Sequence, residues 1–160
     1  MLTIRRPTAN DCKLYYNWAS DLDVRTQSYH SKPIAFADHE AWFNRKLKDE
    51  NCSMMIFQLE GRDDVGQIRF EKLNYNNFVI GVSVGKEFRG KGYATEMLIL
   101  GSDYFLNEHP DITINAYIKE NNLRSKLTFE KAGFEFEGMI NYEGFNSFHY
   151  IKCKHEDRNI

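Results

Sequence analysis

The sequence predicts an α+β fold: a mixed, mostly antiparallel central sheet with one parallel βαβ crossover, covered by helices on both faces in three layers. Three features point there. Apolar and β-branched runs at residues 54–59, 65–70 and 78–84 are separated by short turn-forming stretches, which is the pattern of an antiparallel meander. A strand, a glycine-rich turn, a helical apolar pattern and another strand then follow between residues 78 and 117, and that order requires a crossover joining parallel strands. With 160 residues, 42% hydrophobic and 14% aromatic, the chain can bury a two- or three-layer core but has no room for a second full domain. Residues 1–160 therefore read as a single domain.

In chain order, Leu2, Thr3, Ile4 and Arg5 alternate as a short strand that Pro7 ends. Thr8 with Asp11 three residues later makes a capping-box pattern. It opens a helix whose apolar positions Cys12, Tyr15, Tyr16, Ala19 and Leu22 fall three and four apart, predicting one buried face. Residues 23–36 mix polar and aromatic side chains around Pro33 and read as a loop or broken helix. Residues 38–47 predict a second helix, acidic in its first turn and with Lys46 and Lys48 near its end, as the helix dipole favours.

After the meander, Ala94, Met97, Leu98, Gly101 and Phe105 share one face of a helix that ends near residues 107–110. Residues 112–117 alternate as a strand. Residues 122–132 form a helix closed by Gly133 in a left-handed conformation. Residues 134–137 and 148–151 pair as a hairpin turning near Gly144, and the polar tail from Lys154 is expected to fray.

Composition excludes several classes. The 21 basic residues against 23 acidic give a net charge of -2, and the basic ones are scattered except at the central turn, so no nucleic-acid footprint is present. No run approaches the ~18 apolar residues that span a bilayer, so no membrane partner is expected and a cytoplasmic location is. Cys12, Cys52 and Cys153 are odd in number and far apart, with no C-x-x-C pair or His-rich spacing; they read as reduced thiols, with no metal site.

The most informative stretch is residues 82–94. Here Val82, Ser83 and Val84 end a strand, and Arg89, Gly90, Lys91, Gly92, Tyr93 and Ala94 lead into a helix. Backbone N–H groups freed by glycine, with the first turn of a helix, make a concave donor site for phosphate oxygens, and Arg89 and Lys91 add positive charge. The whole order of elements, with Arg89, Gly92 and Ala94 matching a Gln/Arg-x-x-Gly-x-Gly/Ala motif, resembles the GNAT superfamily of acyl-CoA-dependent N-acyltransferases. A second signature of that superfamily is matched by Asn122, Ser125, Phe129, Gly133 and Phe134.

The resemblance implies acetyl-CoA as co-substrate, with no metal. It implies that residues 89–95, which add Thr95, hold the pyrophosphate, that the main chain around Val82, Ser83 and Val84 pairs with the pantetheine arm, and that Asn122, Ser125 and Phe129 border the arm and thioester. Asn122 also suits a helix N-cap. The superfamily commonly has a Tyr acid seven positions after the motif Asn, and Phe129 stands there instead. The text around Ser125 is similar to the ribosomal-protein N-terminal acetyltransferase branch, which implies Ser125 as the proton donor to the departing sulfur.

An alkyl ammonium group has a pKa near 10, so a base is needed near neutral pH. Glu71, at the end of the strand beside the cofactor strand, is the leading candidate, with His30, His39 and Tyr142 as alternatives. The first half is similar to enzymes that N-acetylate nucleotide-linked amino sugars, through Trp18, Asp23, Arg25, Ser28, His39, Trp42 and residues 66–70. Arg25, His39, Trp42, Arg69 and Tyr142 are the expected acceptor contacts, although core packing is the plainer reading of Trp18 and Trp42 taken singly, a helix-face hydrogen bond accounts for His39 as well as substrate contact does, and Arg69 could simply pair with Glu71 or Asp63.

The expected function is thus N-acetylation of a small-molecule amine by a monomer or a homodimer joined at an exposed final strand. A protein N-terminal acetyltransferase and a non-catalytic acyl-CoA-binding module are the competing readings.

Overall fold

A computed structural model describes residues 1–154; the tail expected to fray falls, beyond Lys154, outside the described residues. One sheet contains seven strands: β1 (Leu2–Arg5), β2 (Cys52–Leu59), β3 (Asp63–Asn74), β4 (Asn77–Val84), β5 (Thr113–Lys119), β6 (Glu135–Tyr142) and β7 (Phe145–Cys153). Their spatial order is β1-β2-β3-β4-β5-β7-β6. Only β4 and β5 are parallel, as the crossover requires; every other neighbouring pair is antiparallel. The strand left at the far edge is β6 rather than the final one, because β7 inserts between β5 and β6.

Helices α1 (Cys12–Ser20), α2 (Leu22–Gln27) and α3 (Phe36–Leu47) cover one face, and α4 (Tyr93–Glu108) and α5 (Leu123–Lys131) cover the other. The Thr8–Asp11 capping box forms on a short 3-10 turn ahead of α1. The first helix stops earlier than its apolar spacing suggests. Asp21 is extended (φ -57, ψ 135), and its carboxylate accepts from the N–H groups of Asp23 and Val24 to start α2. Leu22, expected on the buried face, is consequently 82% exposed, and Trp18 occupies the core instead.

Strand β2 is buried on both faces, so its alternation feeds two cores. Met54 and Ile56 join Tyr15, Trp18 and Phe43 beneath α1 and α3. Met55 and Phe57 join Ile68, Phe70, Met97, Leu98 and Phe105 beneath α4. Phe70 stacks on Phe105 with ring centroids 4.1 Å apart; burying each such ring contributes about 1.5–3 kcal/mol.

Candidate active site

The sheet is parted at its parallel seam. β4 and β5 pair at Asn77–Thr113, Phe78–Ile114 and Val79–Asn115 and no further. Beyond that point residues 80–84 pair only with β3, and residues 116–119 only with β7. One backbone edge of β4 is thus left open inside the sheet. Asn115 sits at the apex, 5% exposed. Its Nδ2 donates to Asn77 Oδ1 (3.0 Å) and the Phe78 carbonyl (3.3 Å), and its Oδ1 lies 2.7 Å from His149 Nε2. Burial lowers the His149 pKa, so the ring is neutral near pH 7 with its Nε2 proton donated to Asn115.

At the open end of β4 the chain passes through Gly85, a 3-10 turn (Lys86–Phe88) and Arg89 into α4. Gly90 (φ +74) and Gly92 (φ +83) take left-handed conformations that most side chains resist. A Cβ at either would meet nothing within 4 Å, so this surface is open. Gly92 caps α4 without a side-chain acceptor, which leaves the first N–H groups of the helix available. Open space, free donors and an unmatched strand edge fit a diphosphate followed by an amide-bearing arm, as coenzyme A would supply.

Arg89 takes a position that sequence alone did not suggest. Its guanidinium donates from Nε to the Val84 carbonyl (3.2 Å), from Nη1 to Asp23 (3.2 Å) and from Nη2 to Asp21 (2.8 Å). The side chain therefore ties the turn to α2, while Lys91 is exposed.

Strand β5 ends at Lys119 and α5 begins at Leu123, so Asn122 and Ser125 stand at the mouth of the gap, where parallel strands present their C-terminal ends. Asn122 is the N-cap of α5, its Oδ1 accepting from Ser125 N at 3.2 Å. The Ser125 side chain is partly exposed. Phe129 is 4% exposed and packs edge-on against Phe134 at 5.0 Å, which places its ring in the main core.

On the opposite face, Gln67, Arg69 and Glu71 form a row along β3. Gln67 Nε2 donates to Ser83 Oγ (2.8 Å), and Arg69 lies over the Trp42 ring at 4.9 Å. Glu71 is ion-paired with Lys46 (2.9 Å) and Arg69 (3.3 Å). It opposes Val79, where the seam is still closed. At ~3.3 Å per residue that is about 10 Å short of Val82. His39 is buried among Tyr16, Trp42 and Phe43, its Nε2 without a partner. Burial lowers its pKa, and the charge of Arg25 lowers it further.

Arg25 donates to the His30 carbonyl at 2.7 Å. Tyr142 stacks on Tyr117 at 4.0 Å, and Tyr29 meets Tyr142 edge-on while sharing a 2.7 Å hydrogen bond with Ser147. Arg25 lines a cavity of about 500 Å³ beneath α2. The structure thus gathers Val82 to Thr95 with Asn122 and Ser125 around the gap. It sets Arg69, Trp42 and Glu71 on one part of the sheet face that α1 and α3 cover, Tyr142 on another, and His39 in the helix interface.

Three residues escaped the sequence reading: Asp21, Asn115 and Lys119. Lys119 is 8% exposed, its ammonium donating to the Thr26 carbonyl (3.3 Å) over the Phe145 ring (4.0 Å). A signal existed for two of them. Asn115, Tyr117 and Lys119 alternate with Ile114, Ala116 and Ile118, which marks a polar face on an otherwise buried strand.

Among solved structures, a spermidine N-acetyltransferase from Vibrio cholerae, in complex with CoA and spermine, superposes with a TM-score of 0.84 at 18% identity over 94% of each chain. The aminoglycoside acetyltransferase AAC(6')-Ib, in complex with ribostamycin and coenzyme A, gives 0.83 at 19% identity, covering 96% of this chain and 93% of that one. At such identities the likeness is one of fold. In sequence, an uncharacterized protein of Methanocaldococcus jannaschii is 27% identical over 136 residues, 84% of this chain, and the chain spans 28% of that relative's length. The acetyltransferase (GNAT) domain family matches residues 1–135, a span that includes the glycine turn, the Asn122–Ser125 helix start and both walls of the parted seam, and the chain belongs to that family.

Proposed function

We propose that this chain moves an acetyl group from acetyl-CoA to a primary amine of a small molecule, with an amino-sugar nucleotide as the acceptor. The observation that carries this reading is the parted β4–β5 seam ending beside an uncapped, glycine-led helix start. Spermine and ribostamycin, bound by the two structural neighbours, are small amines, which supports an acceptor of that size.

Bound acetyl-CoA would supply an activated thioester. The N–H groups of residues 90–95 would hold the pyrophosphate, and the open edge at Val82 and Val84 would align the arm as an added strand. Asn122 fixes Ser125 in the first turn of α5, and the Ser125 hydroxyl is proposed to donate to the leaving sulfur, regaining its proton from solvent as the thiol departs. Glu71 is the proposed acceptor of the amine proton, its carboxylate held by Lys46 and Arg69.

Thiol release should be followed over amino sugars free and nucleotide-linked, polyamines and N-terminal peptides. Ser125→Ala is expected to lower kcat about 10- to 100-fold with little change in KM for acetyl-CoA, the low end for loss of a proton donor. Glu71→Gln is expected to lower kcat about 10- to 100-fold with little change in KM for acetyl-CoA; an unaltered kcat leaves Glu71 as an ion-pair anchor only. Tight coenzyme binding with no turnover of any amine would overturn the enzymatic reading.

A further inference from the structure

The cavity beneath α2 lies between the end of α1, α2 and the connection to α3, and at about 500 Å³ it has the size of a small-ligand site. Tyr16, Pro33 and Ile34 give it an apolar wall, and Ser20, Ser31 and Arg25 give it donors. No carboxylate lines it among the described residues. Arg25 has no carboxylate partner among the described residues, where its Nη1 reaches only the His30 and Lys32 carbonyls. The Arg25 Nε and the Ser20 hydroxyl are both buried without an acceptor.

A guanidinium in this state is costly, because desolvation is not offset by an opposite charge. Its field is felt nearby: Arg25 contributes to lowering the His39 pKa. The two carboxylates at the start of its own helix, Asp21 and Asp23, are paired with Arg89. A second cation without a carboxylate among the described residues, Lys119, borders the same segment at Thr26. A polycation would meet uncompensated positive charge here.

We infer that this cavity is the subsite for a phosphate or carboxylate group carried by the amine acceptor, with Arg25 as its counter-ion. The inference rests on the proposed acetyl transfer. It also parts this chain from its structural neighbours, whose bound spermine and ribostamycin are polyamines. A planar, permanently charged guanidinium with free donors matches either anion in two-pronged fashion.

The matched acceptors glucosamine, glucosamine 6-phosphate and muramic acid, with spermidine as the polycation, separate the possibilities in the thiol-release assay. A preference of about 10- to 100-fold in kcat/KM for the phosphate or the carboxylate over glucosamine is expected, and which one wins identifies the anion. Arg25→Gln should collapse that preference below about threefold through KM, and Arg25→Lys should restore part of it. Preference for glucosamine or spermidine, or an equal loss on every acceptor in Arg25→Gln, overturns the subsite.

Should no amine be turned over, calorimetry with uridine diphosphate and with muramic acid in saturating coenzyme A still decides the matter. Binding to the wild type that weakens tenfold or more in Arg25→Gln sustains the subsite while the enzymatic reading fails. If neither uridine diphosphate nor muramic acid binds the wild type, the subsite is rejected. Thermal unfolding of both variants distinguishes loss of the anion contact from loss of the fold.

Discussion

Arg89 and Asp21 join the two sides of the site through one pair of side chains. Asp21 performs two tasks: it caps α2, and it receives Arg89 at 2.8 Å with both side chains about one-fifth exposed. Asn caps a helix as well as Asp does, so Asp21→Asn separates the tasks by keeping the cap and removing the charge. The variant is expected to lose about 1 kcal/mol or less of stability. Arg89 then holds α2 by a charged contact to Asp23 alone, and coenzyme A affinity should fall several-fold by calorimetry. Unchanged affinity would show that Val84 and Asp23 suffice to position Arg89. Nothing in the local sequence announces this pair, since 68 positions separate its members.

At the scale of elements, β4 is placed by what lies behind it. Gly66 of β3 opposes Val84, and a Cβ there would run into the Ser83 carbonyl oxygen, with Met97 Cε at 2.9 Å. Backbone cannot yield as a side-chain tip does, so Gly66→Ala should push β4 away from β3. A loss on the order of 1–3 kcal/mol in urea unfolding is expected, together with weaker coenzyme A binding. A stable variant with normal affinity would mean that β4 has slack.

The cofactor half was legible in the sequence because its donors are main-chain groups, and glycine spacing announces where main chain is exposed. The acceptor half was less so. Phe36, His39, Phe43 and Leu47 step by three and four along α3, and that stripe carries His39 into the interface with α1 rather than toward substrate. Leu22 was misplaced because the helical period runs through Asp21, whose side chain starts a new helix there. The cavity beneath α2 depends on how three short elements meet, which no local pattern encodes.

For the whole molecule, two desolvated histidines, one buried and one half-buried, contribute to the response to acid. His39 and His149 are both held below the ordinary value of 6.5, chiefly by burial. As pH falls through about 6.5 the unfolded chain takes up protons that the folded chain refuses, so stability drops until the folded pKa values are reached. The urea midpoint should therefore decline between about pH 7 and pH 5, and His39→Gln should flatten part of that decline. A midpoint that rises on acidification would contradict it.

The parted seam has one more consequence. The strands fall into two leaves, β1 to β4 and β5 to β7, each continuously paired, and the leaves meet through three residue pairs and the Asn115 side chain. Fewer residue pairs are in register across that joint than across any other in the sheet. Partial unfolding is cheapest there, with each leaf left whole, and a ligand lying in the gap spans the joint and fastens the leaves to each other.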